Sequence, residues 1–133
     1  MTDLAEVMPL LEKVYAKSQF SECSFSEALT TRAFMTSVGF DQGFAKVCVV
    51  NERIVGFLAG LSYDNQWGAK CAHDIFMYSD QGTHRLIKEF YSWATSQGAE
   101  FVQISDFSGA ERYHKLLGIL GFKKSGTIFI GGL

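Results

Sequence analysis

The sequence predicts an α/β (α+β) fold: a single mixed, mostly antiparallel sheet with helices on both faces, in the element order α-α-β-β-β-α-β-α-β. Three observations lead there. Apolar residues first recur at helical spacing, then change to β-branched runs split by a short polar turn, and finally alternate between helical and strand patterns. That last alternation needs helices on both faces of one sheet. The length of 133 residues supports one core and is too short for two, so residues 1–133 are read as a single domain.

The elements follow in order. Leu4, Val7, Met8, Leu11, Val14 and Tyr15 form one helical stripe, with Asp3 and Glu6 as its start signal. Pro9 falls inside it, which predicts a kink or a late start. A second helix is expected from Ser24, with Glu27 as capping-box partner, through Leu29 and Phe34 to a stop near Gly39. Ala45–Val50 and Ile54–Leu61 then flank Asn51-Glu52-Arg53 as a hairpin, and a loop, Ser62–Gly68, leads to a third strand, Lys70–Ser79. Gly82 and Thr83 open the clearest helix, with Leu86, Ile87, Phe90, Tyr91 and Ala94 on its apolar face and Gly98 as its stop. Phe101–Ser105 is a strand. Ser108-Gly109-Ala110-Glu111 reads as a capping box before a helix that buries Tyr113, Leu116, Leu117 and Leu120 and closes at Gly121-Phe122. Thr127–Ile130 is the last strand.

Composition narrows the function. A net charge of −2, with Lys123-Lys124 as the densest basic cluster, gives no electrostatic case for nucleic acid. No apolar run is long enough to span a membrane, and the acidic start is not followed by a secretory apolar region. Three cysteines cannot all pair, and Cys48 and Cys71 lie in strand patterns, so free thiols in a soluble, reducing compartment are expected. His73, His84 and His114 have no partners at zinc-ligand spacing, so no metal site is expected. Aromatics at Phe20, Phe25, Phe40, Phe44 and Trp67 fall in or near loops, as covers for the core, as the lining of an acceptor pocket or as a partner-binding surface.

Four segments resemble the GNAT acetyltransferases, in order and over nearly the whole chain. Val49-Val50-Asn51-Glu52-Arg53-Ile54-Val55-Gly56 is similar to that family's second and third strands with their turn. Ala72-His73-Asp74-Ile75-Phe76-Met77 is similar to its fourth strand, where many members carry an acidic residue. Arg85 to Ala94, followed by Gly98-Ala99, is similar to the central helix and its exit. Leu120-Gly121-Phe122-Lys123-Lys124-Ser125-Gly126 is similar to the closing Leu-Gly-Phe turn. The small members encoded by tailed bacteriophages are the most similar in outline.

The resemblance implies acetyl-CoA as cofactor, acting as substrate, in a splay between Lys70–Ser79 and Phe101–Ser105. Met77, Tyr78 and Ser79 would line it, and the pyrophosphate would sit by Gly82, Thr83, His84 and Arg85. A helix N-terminus suits phosphate because its first N–H groups are unpaired and carry a partial positive charge. Asp74 stands where the family's general base often is, and strand alternation lets only one of Asp74 and His73 face the cleft. The family's tyrosine acid corresponds to Leu117 here, with Tyr113 one turn earlier as a substitute. The phosphate loop also departs from the family pattern, with Tyr78, Gln81 and Thr83 at its key positions, and Asp106-Phe107 replace an asparagine after the fifth strand.

Two functions follow. One is N-acetyl transfer to an unidentified small-molecule or protein amine in the cytoplasm, that of a bacterial host if the chain is phage-encoded. The other is a catalytically idle member with a degenerate active site, serving as a structural or partner-binding part, such as a component of a virion. A homodimer, or a phage or host protein partner, is compatible with either; nucleic acid and membrane are expected as partners in neither.

Overall fold

The computed structural model describes residues 2–18, 20–105, 111–126 and 131. Helix α1 (Thr2–Lys17) buries Val7, Met8 and Leu11, the residues that its 3.6-residue period brings to one side. The late start expected from Pro9 does not occur. Pro9 and Ala5, whose carbonyl loses its helical donor, both lie on the exposed side, where water supplies the missing bond. Helix α2 (Glu27–Gly39) begins later than Ser24. Its cap is Ser26, whose Oγ accepts the Leu29 N–H at 3.3 Å. Phe25 accounts for the delay: its ring packs on Tyr15 with centroids 5.0 Å apart, and the chain turns helical only after that ring is placed.

Strands β1 (Gly43–Val50), β2 (Arg53–Asp64) and β3 (Lys70–Ser79) form an antiparallel meander, and β4 (Phe101–Gln103) adds in parallel beside β3. The β1–β2 turn places Asn51 and Glu52 at φ 50° and 62°, the left-handed pair whose twist suits a tight hairpin. Strand β2 takes in part of the expected loop, because Lys70 and Cys71 of β3 pair with Asp64 and Tyr63. The reversal shrinks to Asn65–Ala69, where the Asn65 side-chain oxygen accepts the N–H groups of Trp67 and Ala69 at 2.9 and 3.0 Å.

Helix α3 (Thr83–Ser96) lies where the sequence puts it. It buries Leu86, Ile87, Phe90 and Ala94, whereas Tyr91 is exposed and Trp93 packs against the core in its place. Helix α4 (Glu111–Ile119) packs Tyr113 and Leu117 against the same core. Ser108–Ala110 of the expected capping box, Asp106-Phe107 and the expected strand Thr127–Ile130 lie outside the described residues.

The sheet separates two cores. Phe44, Leu58, Ala72 and α3 make one; Phe57, Ala59, α1 and α2 make the other. Phe44 is core, while Phe20, Phe40 and Trp67 are exposed. Cys23, Cys48 and Cys71 are all free. No helix among the described residues is long and apolar enough to cross a membrane.

Candidate active site

The site grows out of an incomplete ladder. Strands β3 and β4 pair only at Cys71–Phe101, Ala72–Val102 and His73–Gln103, after which β3 runs on to Ser79. Beyond His73, β3 continues without β4 as its partner, and the side of β3 left without it is here called the fork. At its base, Asp74 Oδ1 accepts the Ser105 N–H at 2.9 Å, so a side chain replaces the next rung.

A bulge decides which residues face this fork. Gly60 pairs with Asp74 and Ala59 with Phe76, so Ile75 is left over. Strict alternation would group Asp74 with Phe76 and Tyr78. The extra residue instead puts Asp74, Met77 and Ser79 on the α3 side, with Phe76 and Tyr78 in the α1–α2 core. His73 lies opposite Asp74, edge-on to Tyr63 with centroids 5.1 Å apart.

Main-chain direction follows from the same ladder. The Ser62 N–H donates to the Gln42 carbonyl, so Gly60 and Leu58 turn their main-chain groups toward β1, and Leu61, Ala59 and Phe57 turn theirs toward β3. The partners of these last three are His73, Phe76 and Tyr78. Met77 and Ser79 therefore direct their N–H and C=O groups away from β2, into the fork.

Asp74 is 8% exposed. Burial pushes its carboxyl up to about 6, opposed by its hydrogen bonds, chiefly the one from the Ser105 N–H. It is thus a carboxylate at neutral pH with basicity far above the ordinary, and one oxygen is already held. His73 is shifted down by burial and is neutral at that pH.

Where β3 ends, Ser79 Oγ donates to the Gln81 carbonyl at 2.7 Å, and Gly82 at φ 78° turns the chain into α3. No side chain caps that helix and its first turn holds no acid, so its leading N–H groups face outward unneutralised. Cys48 lies directly beneath: a Cβ on Gly82 would come 2.4 Å from its Sγ. His84 and Arg85 are exposed there, and Arg85 reaches Glu89 at 3.5 Å. From α4, the Tyr113 hydroxyl donates to Met77 Sδ at 3.2 Å.

Met77, Ser79, Gly82, Thr83, His84 and Arg85 thus run in sequence from the fork to the α3 N-terminus, with Asp74 at one end and Tyr113 across from Met77. Tyr78 departs: its ring stacks on Phe57, its hydroxyl bonds Asp80 at 3.0 Å and its main-chain groups turn to β2, so it offers the fork nothing. Sequence reasoning missed Ser105 and the Ile75 bulge. Neither has a sequence signal, since both arise where two strands stop pairing.

No protein-family model matches the sequence, and no curated protein matches it. Solved structures do. An aminoglycoside acetyltransferase from an uncultured soil metagenomic sample, in complex with sisomicin, superposes with a TM-score of 0.71 at 15% identity, over 99% of this chain and 89% of that one. The ribosomal-protein-alanine N-acetyltransferase of Brucella melitensis biovar Abortus 2308 gives 0.67 at 14% identity, over 99% and 94%. The aminoglycoside N-acetyltransferase AAC(6')-Iy, bound to the bisubstrate analogue CoA-S-monomethyl-acetylneamine, gives 0.75 at 11% identity, over 99% and 92%. The fold of this chain is therefore the GNAT acetyltransferase fold.

Proposed function

We propose that the chain is an acetyl-CoA-dependent N-acetyltransferase that works by direct attack of an amine. The observation that carries this reading is the fork, with a basic buried carboxylate at its base and, along its side, the main-chain groups of Met77 and Ser79 turned away from β2. The residues present fit the cofactor. Met77 and Ser79 offer main-chain donors and acceptors to an extended amide-bearing arm. The uncapped N-terminus of α3, with His84 and Arg85, suits a pyrophosphate. When bound, acetyl-CoA supplies an activated acetyl thioester.

Asp74 takes the proton that the amine loses as its nitrogen–carbon bond forms, directly or through a water, while the Ser105 N–H fixes the carboxylate's direction. Tyr113, reaching β3 at Met77, gives a proton to the sulfur as the carbon–sulfur bond breaks. The products are an amide and a thiol, with no covalent enzyme intermediate. Likeness to acetyltransferases of aminoglycosides and of a ribosomal protein supports an amine acceptor and leaves both small and protein amines in view. Of three side chains able to plug the fork and so favour the idle reading, Phe76 and Tyr78 point into the opposite core, whereas Met77 stands on the fork's own side, bonded to Tyr113.

The test is acetyl-CoA binding by calorimetry together with the melting shift. Cofactor at one hundred times its Kd should stabilise the fold by about 2.7 kcal/mol. No binding at millimolar cofactor would sink the proposal.

A further inference from the structure

A cavity of about 990 Å³ lies away from the fork. It is a trough along the opposite edge of the sheet, with β1 as its floor and α2 and α3 as its walls. We infer that this trough is a docking site for a single extended polypeptide segment, apolar in its middle and acidic at one end, which adds to the sheet beside β1.

Among the described residues, no strand pairs with the outer edge of β1, which makes the floor. The Ser62 N–H bond to Gln42 fixes the phase of β1, so Phe44, Lys46 and Cys48 turn their main-chain groups to β2. Ala45 and Val47 turn theirs outward into the trough. Sheet edges are ordinarily blunted by proline, bulges or projecting lysines. Here β1 has no proline, and its one lysine, Lys46, leans across to Glu89 at 3.7 Å.

The walls describe the occupant. Phe34 and Val38 line one side and Phe44 and Trp93 the other, so an incoming strand meets apolar surface with both of its faces. Ser37 also lines the trough, and its hydroxyl is buried with no hydrogen-bond partner among the described residues. Such a group costs stability until something bonds it. At the Val47 end, Lys46 and Arg85 share the single carboxylate of Glu89 at 3.7 and 3.5 Å, and Lys88 lines the same wall, an excess of positive charge that asks for an acidic residue there. Asp3 lines the wall beyond.

The recess also selects a lone strand over a second copy of this chain. A copy approaching through its own β1 would bring its α2 and α3 against these two helices before the edges met. A single strand enters between them, at the usual spacing of about 4.8 Å. This is β-strand addition, with affinity from main-chain bonds and selectivity from alternate side chains.

The probe is the blocked heptapeptide acetyl-EVTVIVT-amide, followed by amide chemical shifts of the protein and by Trp93 fluorescence. Expected results are shifts concentrated at Ala45 and Val47, and at least about tenfold weaker binding to Ala45→Pro, which removes one outward donor. The same peptide N-methylated at the groups facing β1 should also fail to bind, a result independent of whether Ala45→Pro folds. The version with Lys in place of Glu should bind several-fold more weakly, and the gap should close in high salt. Silence at Ala45 and Val47 with millimolar peptide, or equal binding of the N-methylated form, would overturn the inference. So would a concentration-dependent dimer that Ala45→Pro abolishes, since that would give the edge to a second copy.

Discussion

Replacing Asp74 by Asn should make the protein more stable at neutral pH while removing the base. The native carboxyl titrates near 6 instead of at its ordinary 3.8. At about 1.36 kcal/mol per pH unit, holding that buried charge at pH 7 costs about 3 kcal/mol. The sign follows from proton binding. Between pH 4 and 6 the folded state holds a proton that the unfolded state has lost, so Asp74's contribution is full below 3.8 and gone above 6. An amide is never charged, yet its oxygen still accepts the Ser105 N–H. Asp74→Asn should therefore match the parent at pH 4 and exceed it by about 2–3 kcal/mol at pH 7, a melting shift on the order of 10 °C for a chain of this length. His73 pulls the other way. Its lowered pKa gives stability above 6.5 that is lost as pH falls, so the parent's own curve mixes opposed slopes. The difference between parent and variant isolates Asp74. Urea unfolding of both proteins from pH 4 to 8 measures it. A difference that stays constant over that range would refute the reasoning.

Three further predictions concern the surroundings of the fork. Gly60→Ala places a Cβ 2.6 Å from the His73 carbonyl oxygen and 2.7 Å from the Phe90 ring, so urea unfolding should show a loss of about 1–3 kcal/mol. Gly82→Ala adds left-handed strain of about 1–2 kcal/mol to its overlap with Cys48; Cys48→Ala in the same chain should restore the overlap part alone, as thermal melts of the single and double variants will tell. Tyr113→Phe should lower kcat by about a hundredfold or more in steady-state acetyl transfer with KM nearly unchanged, whereas an equal rise in KM would make Tyr113 a binding group.

The elements were legible because their signals are local. Residues 54–61 carry a continuous apolar run, and Gly82 and Gly98 bracket α3 at φ 78° and 76°. The start of α2 was misplaced because Ser24 and Ser26 offer the same capping chemistry, and only the packing of Phe25 chooses between them. Asp74 could be picked out by its place in the strand. What sets its basicity could not, because that comes from burial beneath neighbouring elements, which the Ser105 N–H, thirty-one residues away along the chain, only partly offsets. The trough was invisible for a similar reason: Phe34, Phe44 and Trp93 come from three elements, and no local pattern joins them.

The leftover residue at Ile75 gives the strand a parity. Counting from Ala72, every side chain after the bulge stands on the face that an uninterrupted strand would deny it. Deleting this one residue would hardly shorten β3, yet it would exchange the occupants of the two sides. Met77 and Ser79 would turn toward α1 and α2, and Phe76 and Tyr78 would turn into the fork. Point substitutions leave that assignment untouched. A change of length by one reverses it, so in this stretch of chain a residue's address depends less on what it is than on how many precede it.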